Sequence, residues 1–406
     1  MLQIDHIYEF FYNSIFNKDF EVHAFRNGVP GEDAYMIFNR LPEPRKILFY
    51  DQEPLLEQMS IPYLDFFNIP FDINIKENRQ LYPTLYKRIL IGNELTDYVN
   101  WYLTFLRQPF ILVTSEHSST KNQFLEKYGF ADLYYFFHGF AALDYYRGFY
   151  AMNYSKPVVR QYQYDFMSYN RIIISDRSYR IYFVSKLKEL GLLNHGQVSF
   201  NVTDNLFDAW QDEVASIESK LSERAKIHIE NYLTGIDKLV IDSPELPGSA
   251  SADIPRNTDA FWHIVTETVF YYDKLHLTEK IFKPIVSKQP FMLLAAAGNL
   301  AYLKSYGFKT FDSVIDESYD NIQDNDERVE AVVKQLQWYC ALSAEEKQAV
   351  IERLAPIVEY NFHHFYGEFR HIITRELLVN CKKLFKEVGY DDSGVAYEDI
   401  YKVLTH

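Results

Sequence analysis

Short apolar runs end in polar clusters at two places in the first half of the chain. Lys46–Tyr50 (KILFY) is followed by DQEP, and Phe110–Thr114 (FILVT) is followed by SEHS. Continuous apolar runs of this length are typical of buried parallel strands. Because ligands of open α/β sheets bind outside the carboxyl ends of the strands, both polar clusters are candidate site residues. The aromatic segment 134–149 is a further strand candidate.

The second half of the chain alternates strand and helix patterns. Predicted strands cover residues 162–170, 197–200, 261–265 and 290–294, and predicted helices cover 177–190, 277–287, 300–306, 326–342 and 344–365. Asp176 is the predicted cap of the first of these helices. This alternation indicates βαβ units and a parallel sheet. We predict an α/β fold with two Rossmann-like domains, 1–160 and 161–375, facing across a cleft, and a helical tail at 376–406.

Composition narrows the class of protein. The formal net charge of −15 over 406 residues repels nucleic acid, so any DNA contact needs a local basic patch. The many tyrosines and phenylalanines suit sugar rings and bases, which pack on flat apolar faces. Two distant cysteines, no secretory leader and no apolar run long enough to span a bilayer predict a cytoplasmic protein. No oligomeric state is predicted.

The segment 265–284, VTETVFYYDKLHLTEKIFKP, contains the most informative chemistry. Thr278 is a predicted N-cap with Glu279 in the first turn, and Lys280 and Lys283 are free to face an anion. Backbone amides with lysines hold phosphate, and a nearby carboxylate such as Glu267 accepts hydrogen bonds from sugar hydroxyls. The segment therefore indicates a nucleotide-sugar site. The alternative is an ordinary solvated helix start.

Three groups of motifs carry a resemblance to known glycosyltransferases. Glu267 and Thr268 followed by TEK at 278–280 resemble the sugar-donor signature of the α-1,3-fucosyltransferases. Residues 290–291 (PF), 306–311 (YGFKTF) and 316–320 (DESYD) are similar to motifs in a broader set of bacterial and phage glycosyltransferases, and RSYR at 177–180 through GLL at 191–193 to VSF at 198–200 resembles their upstream element. The resemblance covers about residues 165–365.

The resemblance implies a GT-B fold with a nucleotide-diphosphate sugar on the C-terminal half. It implies that Lys280 contacts the pyrophosphate, that Glu279 contacts ribose or sugar hydroxyls, and that Arg177 or Arg180 supplies a second phosphate contact. The predicted donor-binding residues are Arg177, Arg180, Glu267, Thr278, Glu279, Lys280 and Lys283. Thr268 stands where the fucosyltransferases have Asn, and the gap between the motifs is longer, so fucose is not implied. The alternatives are that the arginines lie on a helix surface and that 316–320 is a capped loop.

Glycosyl transfer with inversion needs a carboxylate or histidine that deprotonates the acceptor hydroxyl. The candidates follow the predicted strands of the first half: Glu53 first, Glu116 second, then Asp51 and His117. Each is alternatively a capping or turn residue, and a retaining mechanism stays open. Asp51 to Glu53 also matches an Asp-x-Asp metal motif weakly. Because lysine and arginine supply the counter-charge in a GT-B site, no essential metal and no other cofactor are predicted.

The sequence therefore predicts a glycosyltransferase that moves a sugar to a hydroxyl of a glycan or a lipid-linked oligosaccharide. One alternative is a phage-type DNA glycosyltransferase acting on a hydroxylated base, which the basic residues Arg40, Arg45, Lys46 and Arg107 would favour. Another class is a non-catalytic nucleotide-sugar-binding module. A structural or partner-binding protein would leave the clustered motifs unexplained.

Overall fold

The computed structural model describes residues 21–25, 46–50, 110–128, 131–136, 162–170, 172–200, 210–217, 219–236, 239, 259–389 and 395–405. Contacts divide the chain into two compact units. The first consists of residues 1–143 and 370–406, and the second of residues 144–369. Each unit contains a four-stranded parallel sheet. The predicted α/β class and the helical C-terminal region are confirmed.

Within these ranges the strands are β1 (Glu21–Phe25), β2 (Lys46–Tyr50), β3 (Phe110–Thr114), β4 (Ala131–Tyr134), β5 (Tyr164–Ser168), β6 (Gly196–Val198), β7 (Ala260–Thr266) and β8 (Phe291–Leu294). The helices are α1 (Ser119–Tyr128), α2 (Tyr179–Glu189), α3 (Trp210–Ala215), α4 (Glu223–Tyr232), α5 (Phe282–Val286), α6 (Asn299–Ser305), α7 (Asn325–Cys340), α8 (Ala344–His364), α9 (Arg370–Val388) and α10 (Tyr397–Thr405). Short 3-10 turns lie at Ser175–Arg177, Leu192–His195, Glu279–Ile281 and Glu317–Asn321, and a π-helical turn at Phe365–Phe369. Two-residue strands lie at His117–Ser118 and Lys274–Leu275.

The sheet of the first unit has the order β1-β2-β3-β4, with every pair parallel. The bounds predicted for β2 and β3 are confirmed residue for residue. Helix α9 packs on the last strand, where Asn380 Nδ2 donates to the Tyr134 carbonyl at 2.9 Å. The C-terminal helices therefore form part of this unit.

The sheet of the second unit has the order β8-β7-β5-β6, again all parallel. Its central strand β7 is buried along its whole length, as a strand covered on both faces must be. The predicted strands are all present with ends shifted by a few residues. The helix predicted at 277–287 is shorter, because the chain forms a 3-10 turn before α5. Asp176 does not cap α2; its carboxylate accepts from the Tyr272 hydroxyl at 2.6 Å.

Local sequence signals mark the ends of two helices in the second unit. Gly307 ends α6 with φ +90°, a conformation that favours glycine. Ser343 begins α8 with a capping box, in which its hydroxyl and the Glu346 side chain each accept a backbone N–H. No helix within the described ranges is long and apolar enough to cross a membrane.

Candidate functional site

The strand order of the second unit has a switch point between β5 and β7, and the region at the carboxyl ends of these two strands is called the crevice here. The chain passes from β5 to β6 on one side and then returns to β7 on the other side of β5. Such a reversal separates the connections at the carboxyl ends of the two neighbouring strands, which is where open α/β sheets bind ligands. Tyr169 and Asn170 follow β5 at this switch point, and Glu267 and Thr268 follow β7.

Glu267 fastens the two predicted acidic motifs to each other. Its side chain is fully buried, and its carboxylate accepts hydrogen bonds from the Thr278 amide at 3.1 Å, the Thr278 hydroxyl at 2.5 Å and the Thr268 amide at 3.1 Å. Thr278 in turn caps the 3-10 turn, as predicted, by accepting from the Lys280 amide. The Glu267 carboxylate therefore bonds to the protein itself and fixes the start of the turn.

Lys280 lies at the surface of this cluster. Its ammonium group donates to Thr268 Oγ1 at 3.0 Å, to Thr278 Oγ1 at 3.1 Å and to Glu279 Oε1 at 3.0 Å. The side chain of Lys280 is 27 % exposed and that of Glu279 is 10 % exposed. The structure thus joins residues that are twelve positions apart, Thr268 and Lys280, and the ammonium group of the partly exposed lysine bonds to three protein oxygens.

Arg180 supports the same strand end from α2. Its guanidinium donates to the carbonyls of Ile172 at 2.8 Å, Thr266 at 2.6 Å and Glu267 at 3.3 Å. The residue is 3 % exposed, and burial lowers the pKa of its guanidinium. Tyr179 adds a hydroxyl bond of 2.6 Å to the Glu267 carbonyl, and burial raises the pKa of that hydroxyl to about 12. Arg180 therefore holds backbone, whereas Arg177, in the preceding turn, is half-buried.

A lysine and two rings lie beside the end of β5. Lys283 Nζ lies 5.4 Å from the centre of the Tyr169 ring, and the ring of His263 meets Tyr169 edge-on at 5.4 Å. Burial, followed by the positive charge of Lys283, lowers the pKa of His263 to about 3. His263 is therefore neutral at pH 7, and its Nδ1 has no hydrogen-bond partner among the described residues.

The aromatic loop after β7 gathers further cations around Tyr272. Lys220 Nζ and Lys274 Nζ lie 5.5 and 5.6 Å from the centre of its ring. The Tyr272 hydroxyl donates to Asp176, the neighbour of Arg177 in the turn before α2. In a chain of net charge −15, this edge of the sheet thus brings basic side chains together with half-buried aromatic rings.

The acidic segment 316–320 is bonded internally. Asp316 accepts from the Ser318 amide at 2.9 Å, and Glu317 accepts from the Phe311 amide at 2.6 Å. Asp320 accepts from the first amides of α6, those of Leu300 and Ala301, each at 2.9 Å. Of the two interpretations of this segment, the capped loop describes these contacts.

The candidates for the general base that deprotonates the acceptor hydroxyl belong to the first unit. Glu116 follows β3, is fully buried and accepts from the Ser118 hydroxyl at 2.5 Å. His117 stacks on the Tyr134 ring, with ring centroids 4.0 Å apart. Asp51 and Glu53 lie outside the described residues, as do Arg40, Arg45 and Arg107.

Several residues of the crevice did not emerge as site candidates from the sequence. Tyr169 and Asn170 lay inside a predicted strand, and His263 lay in the middle of another. The rule that ligands bind at carboxyl ends would have found the first two if the end of β5 had been placed correctly. Nothing in the local pattern around His263 marks it.

No protein-family model matches the chain, and no curated protein or solved structure matches it either. The resemblance to the fucosyltransferase-like enzymes therefore stays a prediction, and the function has to be argued from the crevice.

Proposed function

We propose that the chain is a glycosyltransferase that uses a nucleotide-diphosphate sugar bound at the switch point of the second unit. The observation that carries the proposal is the convergence of the two predicted motifs there, with Lys280 bonded to Thr268 and Glu267 bonded to Thr278. The motifs were selected from sequence for anion and sugar chemistry. The strand order, which is independent of that selection, supports the proposal, because open α/β sheets bind ligands at the carboxyl ends of the strands beside such a switch point.

Side-chain cations are the proposed phosphate ligands. Lys280 keeps part of its surface exposed, and Lys283 and Arg177 are half-buried at the same edge. Three cations of this kind neutralise a diphosphate without a metal ion, and they stabilise it as it leaves. The proposal does not rest on the helix start, since α5 has only five residues and the Thr278 cap is already bonded.

The carboxylates have different proposed roles. Glu279, which pairs with the partly exposed side chain of Lys280, is the proposed acceptor for hydrogen bonds from ribose or sugar hydroxyls. Glu267 and Arg180 are positioning residues, because their polar atoms hold backbone and Thr278. An aromatic face, including Tyr169, is suited to a base or sugar ring.

The proposed acceptor domain is the first unit, so that the two units make up a GT-B enzyme that acts in the cytoplasm. Glu116 is the described candidate for the general base of an inverting transfer, and Glu53 and Asp51 remain candidates from sequence. A hydroxyl of a glycan or lipid-linked oligosaccharide is the expected acceptor. A hydroxylated base in DNA is the alternative acceptor, and a non-catalytic binding module is the alternative class.

Thermal-shift measurements against nucleoside diphosphates and their sugars test the site. A ligand present at about a hundred times its Kd stabilises by about 2.7 kcal/mol, or about 5–10 °C for a unit of this size. The Lys280→Ala variant should lose most of the increase in melting temperature that the ligand causes in the wild type. Lys288→Ala is the matched control, because its side chain is 24 % exposed and it also forms one close carboxylate pair, with Glu359 at 2.8 Å. Each variant is compared with and without ligand.

The absence of a shift with every compound, or a full shift in Lys280→Ala, would remove the proposed site. Release of nucleoside diphosphate in the presence of glycan, lipid-linked and modified-DNA acceptors then tests catalysis, with Glu116→Gln as the first base variant. Binding without release over all acceptors would favour the binding module. Measuring both steps in the presence of a chelator tests the prediction that no essential metal takes part.

A further inference from the structure

A second cluster of chemically reactive side chains lies at the opposite edge of the same sheet. Asp165 is near the start of β5, His195 immediately precedes β6, and Cys340 is the last residue of α7. One ligand atom from each lies within 4.8 Å of the other two, and Asp165 Oδ2 is 3.0 Å from His195 Nδ1. These residues come from three separate elements, and the parallel pairing of β5 with β6 brings the first two together.

The cluster already attracts a cation. Lys347, in the first turns of α8, places its ammonium 2.7 and 2.9 Å from the two carboxylate oxygens of Asp165. Its side chain is 23 % exposed, and Nζ lies 5.6 Å from the centre of the Tyr339 ring. A lysine on a flexible stem can leave such a pair and remain over the ring, so the position is open to exchange with another cation.

The chemistry of the three ligands selects the metal. A thiolate, an imidazole and a carboxylate together suit Zn²⁺, whereas Mg²⁺ and Ca²⁺ require oxygen ligands. In a tetrahedral zinc site the ligand atoms stand about 3.5 Å apart, so the cluster needs only a small contraction. With two anionic ligands the charge of the ion is balanced.

We propose that Asp165, His195 and Cys340 form a three-ligand Zn²⁺ site, with water as the fourth ligand. On binding, the S–H bond of Cys340 breaks, the proton passes to solvent and a sulfur–zinc bond forms, while Lys347 leaves Asp165. The ion would tie the end of α7 to the amino edge of the sheet. The site lies at the amino ends of the strands, whereas the crevice lies at their carboxyl ends. The proposal of a Zn²⁺ site therefore does not rest on the proposed glycosyl transfer.

Calorimetric titration of the full chain with Zn²⁺, after treatment with a chelator, tests the site. We expect one ion per chain, with affinity reduced more than about tenfold in Cys340→Ala and in His195→Ala. Cys381→Ala and His363→Ala are matched controls and should bind as the wild type does. Cys381 is the other buried free thiol, and His363 is another exposed histidine next to a carboxylate, that of Glu359.

Cobalt provides a spectroscopic readout. Co²⁺ in the site should show a thiolate-to-metal charge-transfer band that Cys340→Ala abolishes. If the Cys340→Ala variant does not fold, His195→Ala serves as the second ligand variant, because the His195 side chain is 45 % exposed and its loss should leave the fold intact. Lys347→Met removes the competing cation and should tighten Zn²⁺ binding several-fold. No binding, no charge-transfer band, or equal affinity in the wild type and both ligand variants would overturn the site.

Discussion

The buried carboxylate of Glu267 makes the sharpest prediction about how the crevice is held together. In Glu267→Ala, the amides of Thr268 and Thr278 both lose the acceptor that they have at 3.1 Å. An unsatisfied buried N–H costs about 2 kcal/mol, so two of them cost about 4 kcal/mol. The loss should lower the melting temperature of the second unit by about 8–16 °C.

Urea unfolding followed by tryptophan emission measures the change in the free energy of unfolding. Trp262 is a suitable probe because it is completely buried in β7, next to the affected loop. Glu346→Ala is the control: its carboxylate also accepts from a backbone amide, that of Ser343 at 2.8 Å, but it lies at the exposed start of α8. We expect Glu346→Ala to change the midpoint far less, because water replaces the lost partner.

A double-mutant cycle with Thr278→Val distinguishes the loss of the hydrogen bond between Thr278 and Glu267 from a general loss of packing. Because both side chains act through the same 2.5 Å contact, the double variant should cost less than the sum of the single ones. If Glu267→Ala is no more destabilising than Glu346→Ala, or if the two changes add fully, the role assigned to Glu267 is wrong.

Three further variants test neighbouring features. Arg180→Met should destabilise the second unit by about 2–4 kcal/mol, measured by the same urea assay, because three carbonyls lose a charged donor. His263 has a pKa lowered to about 3, so the unfolded chain binds a proton that the folded chain does not between about pH 6.5 and 3, and stability falls as the pH falls through that window. At pH 5 the loss is about 2 kcal/mol, and His263→Gln should flatten it; an unchanged pH profile would contradict the assignment. Gly307→Ala should destabilise, since φ is +90° and a Cβ would stand 2.8 Å from the His364 ring, whereas Gly367→Ala, with open space around it, should not; equal melting temperatures would refute this.

The local elements of the second unit could be predicted well because their signals are local. Continuous apolar runs marked β7 and β8, and glycine marked the end of α6. The ends were less exact where side chains found tertiary partners. Asp176 is the clearest case: its carboxylate bonds to Tyr272, about a hundred positions away, instead of capping α2.

The arrangement of elements was beyond the sequence for a similar reason. The order β8-β7-β5-β6 depends on pairings between segments far apart in the chain, and no residue in β5 encodes its neighbour. Residues 376–406 were predicted to be a helical tail, and a helical pattern alone fits a tail as well as a packed layer. Only a contact such as that between Asn380 and the Tyr134 carbonyl decides between them.

The candidate site shows a division that residue types alone do not reveal. Glu267 and Arg180 have the chemistry of ligand contacts, yet both are buried and their polar groups bond to backbone or to Thr278. Lys280 has the same kind of charge but keeps 27 % of its side chain exposed. All three groups bond to the protein, but a ligand displaces such bonds more readily at the partly exposed Lys280 than at the buried pair. Glu267 and Arg180 therefore set the geometry, and Lys280 is the proposed ligand contact. For that reason Arg180→Met should act mainly on stability, whereas Lys280→Ala should act mainly on the shift that a nucleoside diphosphate causes.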